Sequence, residues 1–254
     1  MILDEIVLTK KSEIETLKKS LRATDLENSH VLRNFKSAIC EKDKISLIAE
    51  IKKASPSAGV IVKNFDPVLI AKQYEQAGVA AISVLTDKNY FQGEIGFLKQ
   101  VKEATKLPVF RKDFIIDESQ LIESRISGAD AVLLIARILE EKQLKRLLEK
   151  CEELKLQTLV ETHDERDIEK ALACDCDIIG INNRDLDTLR VDFENSLKLS
   201  SKYPELKSKV LVSESGISSS SQIKELKSAG FSAVLIGESL LTARNIAEKI
   251  KELF

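Results

Sequence analysis

After residue 44 the sequence alternates short apolar runs with longer amphipathic ones about eight times, with no linker-like stretch between them. Candidate strands are Ile45–Lys52, Val79–Leu85, Leu107–Lys112, Ala131–Ile135, Gln157–Glu161, Ile178–Asn182, Val210–Glu214 and Ala233–Gly237, each rich in Val, Ile and Leu. Helical patterns lie between them, over Pro67–Gln76, Glu94–Thr105, Glu118–Ser127, Glu140–Leu154 and Ser220–Ala229. Asp66-Pro67 places an N-cap before a proline at the first helical position, and Gly78, Gly128 and Gly230 stand where helices should end. Such alternation predicts a parallel sheet with crossover helices, and eight units in roughly 210 residues match an α/β fold of the (β/α)8 TIM barrel type. A doubly wound sheet is the alternative, but its Gly-x-Gly-x-x-Gly fingerprint is absent.

The first 44 residues break the alternation, since Leu3–Leu21 and Val31–Cys40 both read as charged amphipathic helices. The whole chain, 1–254, is thus read as one domain, with an N-terminal helical extension over 1–44 and the barrel over 45–254. The extension is expected to plug one barrel end; covering the substrate is its other reading.

Composition narrows the partners. Of 254 residues, 43% are hydrophobic and 31% charged, with a formal net charge of -2, which gives no electrostatic reason to expect nucleic acid or an anionic membrane. No apolar run approaches the ~20 residues of a membrane span, and Met1-Ile2-Leu3-Asp4-Glu5 lacks a signal-peptide layout, so a cytoplasmic protein is expected. Cys40, Cys151, Cys174 and Cys176 read as reduced thiols; with only His30 and His163 beside them, neither a metal nor another cofactor is expected.

Chemistry in such barrels sits where strands end, at their C-terminal edge. The first strand carries Leu47, Ala49 and Ile51 on one face and Ile48, Glu50 and Lys52 on the other. Burying a carboxylate and an ammonium is costly unless they are paired or used. Other strands end alike, with Arg111-Lys112-Asp113-Phe114, Leu159-Val160-Glu161, Asn182-Asn183-Arg184, Ser213-Glu214-Ser215-Gly216 and Gly237-Glu238-Ser239. A lone Lys or Glu at a strand end is most often just solvated. By parity, however, Phe110 shares a face with Lys112, Leu159 with Glu161, Gly180 with Asn182 and Val212 with Glu214, so these groups converge on one mouth, where acid and base would perturb each other. Ser215-Gly216 and Gly237-Glu238 offer backbone N–H groups suited to a phosphate, with Lys52 in reach, although tight turns alone would also explain the glycines.

This strand-end set resembles the indole-3-glycerol phosphate synthase family over essentially the whole chain. The resemblance rests on Ala49-Glu50-Ile51-Lys52-Lys53-Ala54-Ser55-Pro56-Ser57, Arg111-Lys112-Asp113-Phe114-Ile115, Leu159-Val160-Glu161-Thr162-His163, the segment from Ile179 to Leu186, Val212-Ser213-Glu214-Ser215-Gly216-Ile217 and Leu235-Ile236-Gly237-Glu238-Ser239-Leu240. It implies ring closure of 1-(2-carboxyphenylamino)-1-deoxyribulose 5-phosphate to indole-3-glycerol phosphate, carbon dioxide and water, in tryptophan biosynthesis. The catalytic set it implies is Lys112 as general acid, Glu161 as its acid/base partner, Lys52 as anion contact and second lysine, Glu50 to orient the lysines, and Asn182. Asn182 and Glu214 would hold sugar hydroxyls, Arg184 would lie near the anthranilate carboxylate, and Ser55 and Ser215 would also touch substrate. Phe91, Phe114, Leu133, Ile135 and Leu186 would wall the aromatic ring, and Gly216, Gly237 and Glu238 would bind phosphate beside Lys52. Thr162 and Asp187-Thr188-Leu189-Arg190 depart from the family pattern. The resemblance implies a small phosphorylated substrate and a monomer or weak association with other tryptophan-pathway enzymes. Another phosphate-binding barrel, such as a sugar-phosphate isomerase, or a non-catalytic barrel subunit are the competing readings.

Overall fold

A computed structural model of the chain describes all residues except 1, 22–25, 27–29 and 187. Asp187, in one of the segments that depart from the family pattern, thus lies outside the described residues. Eight parallel strands close into a barrel in the order β1 (Ser46–Ile51), β4 (Ala81–Leu85), β5 (Val109–Lys112), β6 (Ala131–Ile135), β7 (Gln157–Thr162), β8 (Ile178–Asn182), β9 (Val210–Glu214) and β10 (Ala233–Ile236). Each predicted strand forms. Lys52 and Gly237 fall just beyond the ends of β1 and β10, and the strands starting at Ala81 and Val109 are shorter at their N-terminal ends than the apolar runs suggest. One pair of strands has no counterpart in the sequence reading: β2 (Ala54–Ser55) and β3 (Gly59–Val60) form a small antiparallel hairpin in the segment following β1.

The pleat divides each strand's side chains as the alternation requires. Leu47, Ala49, Ile82, Val84, Val132, Leu134 and Ile179 pack outward into the layer shared with the helices. Ile48, Ala81, Phe110, Leu133, Leu159, Val212 and Leu235 point inward and fill the barrel. The surrounding helices include α3 (Pro67–Gln76), α5 (Gly96–Ala104), α6 (Glu118–Ile126), α7 (Glu141–Glu153), α8 (Glu165–Ala173), α9 (Glu194–Lys202), α10 (Ser220–Ser228) and α12 (Ile246–Leu253). Asp66, Asp117 and Ser219 cap α3, α6 and α10 with their side chains, and Gly78, Gly128 and Gly230 follow α3, α6 and α10 with φ of 78°, 92° and 92°, the left-handed conformation that glycine adopts without strain.

The extension serves both ends of the barrel. Its second helix, α2, is shorter than the amphipathic pattern predicts, covering only Phe35–Ile39. Asn34 caps it by accepting from Ser37 N, while just before it Arg33 N donates to Asp130 and the Arg33 guanidinium donates to the carbonyls of Lys102 and Leu107, which holds that stretch out of helix. Phe35 stacks on Phe110, ring centroids 5.3 Å apart, and with Ile39 closes the N-terminal end; each such buried side chain contributes roughly 1.5–3 kcal/mol. The first helix, α1 (Ile2–Ser20), instead reaches the opposite end, where Leu3 and Ile6 pack in one cluster with Phe114. Among the described residues no helix is long and apolar enough to cross a membrane.

Candidate active site

The C-terminal mouth of the barrel opens into a cavity of about 420 Å³, in the size range of small-ligand sites. Of the residues singled out from sequence, Glu50, Lys52, Lys112, Glu161, Asn182, Arg184 and Glu214 line it with ionisable or amide groups. Phe91, Phe114, Leu133, Ile135 and Leu186 line it with apolar ones, and Ser215, Gly216, Gly237 and Glu238 complete one corner. Ser55 lies elsewhere. It is buried in β2, where its hydroxyl accepts from Ala58 N, and it faces a smaller cavity of about 100 Å³ beneath Ile2, Leu3 and Ile6 of α1. The two cavities share Lys52, Phe91, Phe114, Arg184 and Leu186, so Ser55 adjoins the site without entering its main chamber.

Two ion pairs occupy the floor. Lys112 Nζ donates to Glu161 Oε2 at 2.6 Å and stands 3.4 Å from Glu214 Oε2, while Lys52 Nζ donates to Glu50 Oε1 at 2.7 Å. Burial pushes the Lys112 ammonium toward losing its proton, but the charges of Glu161, Glu214 and Glu50 more than reverse this and hold it above the ordinary lysine range. Burial likewise favours a neutral Glu161, yet the charge and hydrogen bond of Lys112 keep its carboxyl below the usual value. An ionised base therefore touches a protonated acid under a substrate-sized space.

Above this floor the walls differ by side. Phe91, from α4 (Lys88–Phe91), and Phe114, just past β5, set their rings 6.1 Å apart at 37° and form an apolar face with Leu133 and Ile135 of β6. Across the cavity, Ser215 and Gly216 follow β9 with φ of 69° and 75°. Two successive left-handed residues, one of them not glycine, are uncommon away from functional turns. A side chain at Gly216 would run into Val191, and one at Gly237 would come within 2.6 Å of Glu50 Oε1. After β8, Asn182 Oδ1 accepts from Arg184 N at 3.0 Å, Arg184 donates to Leu189 O at 3.0 Å, and Arg184 and Val191 form an antiparallel bridge.

Of the charged triplet at the end of β5, Lys112 reaches into the mouth and Asp113 borders it, while Arg111 is buried behind the barrel wall; Arg111 and Asp113 pair with each other. Leu85, Ser218 and Thr242 line the cavity outside the set the sequence points to. Leu85 was within reach of the same parity rule, two residues beyond Ser83 on the inward face of β4. Thr242 follows α11 (Glu238–Leu241), whose four residues carry no readable periodicity.

The family model described as indole-3-glycerol phosphate synthase matches residues 3–253. The chain belongs to the indole-3-glycerol phosphate synthase family. An indole-3-glycerol phosphate synthase from Campylobacter fetus subsp. fetus is 45% identical over 257 residues, covering 100% of this chain and 99% of the relative. Another, from Caldanaerobacter subterraneus subsp. tengcongensis, is 49% identical over 243 residues, covering 95% of this chain and 93% of its own. Among solved structures, a thiamine phosphate pyrophosphorylase from Pyrococcus furiosus superposes with a TM-score of 0.59 at 15% identity, over 82% of this chain and 93% of that one. At that identity the likeness concerns the barrel fold alone. Membership of the synthase family thus rests on full-length sequence similarity and agrees with the site's acid/base floor.

Proposed function

We propose that the chain converts 1-(2-carboxyphenylamino)-1-deoxyribulose 5-phosphate into indole-3-glycerol phosphate, carbon dioxide and water. The observation that carries this reading is the Lys112–Glu161 pair, 2.6 Å apart, set between an apolar wall and a corner of backbone N–H groups. Forming the indole requires a ring carbon to attack the ribulose carbonyl. The carbonyl oxygen takes a proton as the bond forms, the carboxylate leaves as carbon dioxide, and the resulting hydroxyl takes a second proton to leave as water. One proton is returned from carbon, so turnover needs an acid and a base close together. Lys112 supplies the acid, and Glu161, ionised beside it, handles the proton traffic of dehydration.

Binding falls to the walls. Phe91, Phe114, Leu133, Ile135 and Leu186 hold the aromatic ring against the ribulose carbon, a positioning effect on which ring closure depends. Lys52, held by Glu50, meets the substrate's anionic groups and is a second acid in reach. Arg184 and Ser55 flank the carboxylate end, Asn182 and Glu214 take sugar hydroxyls, and the N–H groups at Ser215, Gly216, Gly237 and Glu238 receive the phosphate. On this reading the enzyme works in the cytoplasm as a monomer or in weak association with other tryptophan-pathway enzymes, without a cofactor.

Purified protein mixed with the carboxyphenylamino-deoxyribulose phosphate, with no metal or nucleotide added, is expected to generate indole fluorescence. No signal across a range of pH and temperature would overturn the assignment.

A further inference from the structure

Inward side chains of alternate strands in an eight-stranded barrel form layers of four. In the layer just below the mouth, β1, β5, β7 and β9 contribute Glu50, Lys112, Glu161 and Glu214. That is three acids and one base. Lys52, two residues beyond Glu50, adds a second cation from above. The short contacts then use the cations up, Lys52 on Glu50 at 2.7 Å and Lys112 on Glu161 at 2.6 Å. Glu214, 1% exposed, keeps only the longer 3.4 Å approach to Lys112, and among the described residues neither of its oxygens accepts a hydrogen bond. The intervening strands β4, β6, β8 and β10 turn only neutral side chains to the interior, and Arg184 at the rim is engaged with Leu189 O. Gly180 on β8 leaves the space Glu214 occupies, since a Cβ there would collide with Glu214 Oε1.

A carboxylate this buried, with no donor from the protein and no cation of its own, is not sustained in the ionised form. We propose that Glu214 works as a neutral carboxylic acid, holding the layer's odd proton and sharing it with the Glu161 carboxylate, so that Lys112 is paired one-to-one and is free to give its proton to substrate. Besides meeting a sugar hydroxyl, Glu214 thereby positions the acid/base pair. Were both carboxyls ionised, Lys112 would be clamped between two negative charges and hold its proton more tightly, and the phosphate and carboxylate of an incoming substrate would meet an excess of like charge. Burial pushes the Glu214 carboxyl up to about 8; Lys112 opposes this, while Glu161 and Glu50 add to it. The neutral form therefore prevails at neutral pH.

The functional half of this inference rests on the ring-closure reading; the protonation half is testable in the resting protein. Infrared difference spectra of ligand-free enzyme, titrated from about pH 6 to about pH 10, are expected to show a protonated-carboxyl C=O band that bleaches with a midpoint near 8 and is missing in E214Q. If E214Q fails to fold, carbon-13 labelling of the glutamate carboxyls in the wild-type protein must show one glutamate titrating near 8. In the kcat/KM profile the wild type should lose activity through the same midpoint, and E214Q, whatever its plateau, should lack that alkaline limb. No protonated carboxyl near neutral pH, a band that survives in E214Q, or an alkaline limb that survives in E214Q would each overturn the proposal. A wild-type protein that does not turn over the proposed substrate at all would instead overturn the ring-closure reading, leaving the spectra to decide the protonation state.

Discussion

Two buried ionic clusters lie back to back across β5, and they are built on opposite terms. Lys112 points into the barrel; its neighbour Arg111 points out toward α6, and Asp113, though it borders the cavity, is paired with Arg111 and Lys10. Outside, Asp113 accepts from Arg111 at 3.0 Å, from Phe114 N at 2.8 Å, from Lys10 at 2.9 Å and from the Thr86 hydroxyl, while Lys10 also meets Asp87 at 2.8 Å. Arg111 spends its remaining donors on Gln120 O, Ser124 Oγ, Thr86 Oγ1 and Glu123. The buried core of that cluster, Lys10, Arg111, Asp87 and Asp113, balances two cations against two anions. Inside, three carboxyls meet two ammoniums and Glu214 goes without a donor. A cluster with a cation for each anion locks elements together, here pinning α1 to the strand ends, even though Asp87 Oδ2 has only the ion-pair approach of Lys10; one short of a cation keeps a proton in play. The same depth of burial thus serves stability on one face of a strand and chemistry on the other.

The sharpest way to break the contrast is to disarm the inner cluster. Lys112→Ala and Glu161→Gln are each expected to lower kcat by ~10²–10⁴, the usual scale for an acid/base group, in protein that is still folded at the assay temperature. Turnover measured by indole fluorescence, alongside a thermal melt, checks this; unchanged kcat in either variant removes that residue from the mechanism.

The outer cluster should respond the other way round. Lys10→Met strands Asp87 and Asp113 without their shared cation, and removing one partner of a buried ion pair costs about 3–5 kcal/mol. For a chain of this size that corresponds to a Tm lowered by roughly 6–20 °C. Turnover below the melting range is expected to fall by less than about tenfold, since the damage is to docking of α1 and not to proton transfer. A K10M protein with an unchanged melt would show that α1 is held by its apolar contacts alone.

The inner cluster was legible in the sequence to a degree the outer one was not. Parity along short strands places Glu50, Lys112, Glu161 and Glu214 on inward faces, and the order of the strands is enough to put them in one layer. What parity cannot give is pairing: that Lys52 takes Glu50, Lys112 takes Glu161 and Glu214 is left over depends on side-chain reach across the barrel. Lys10 did leave a trace, because it stands in the buried stripe Leu3, Ile6, Lys10, Ile14 of α1, but its partners lie about 77 and 103 residues away and no local pattern names them. The β2–β3 hairpin failed for another reason, since two-residue strands have no periodicity to read. Amphipathicity over Val31–Cys40 predicts a longer helix, whereas tertiary hydrogen bonds from Arg33 govern where that helix begins.

The smallest expected effect is a pair of opposed pH slopes. Asp113 is buried, which alone would raise its carboxyl, but Arg111 and Lys10 hold it far below the ordinary range. Its stabilising contribution is therefore present above the unfolded value of ~3.9 and is lost as pH falls toward the folded one. Glu214 runs in the contrary sense. With its folded value raised to about 8 against ~4.3 unfolded, the native state must keep a proton that the unfolded chain releases, so its contribution declines as pH rises through that window. Melts of wild type, D113N and E214Q across that range separate the two. The Tm deficit of D113N should shrink as pH is lowered below about 4, because protonating Asp113 removes in the wild type what the variant already lacks. E214Q, which cannot ionise in either state, should gain on the wild type by a few °C for each pH unit as pH rises from about 4 to about 8. Parallel Tm curves for the wild type and either variant would show that the carboxyl in question does not change its protonation on folding, and would erase the distinction between the two faces of β5.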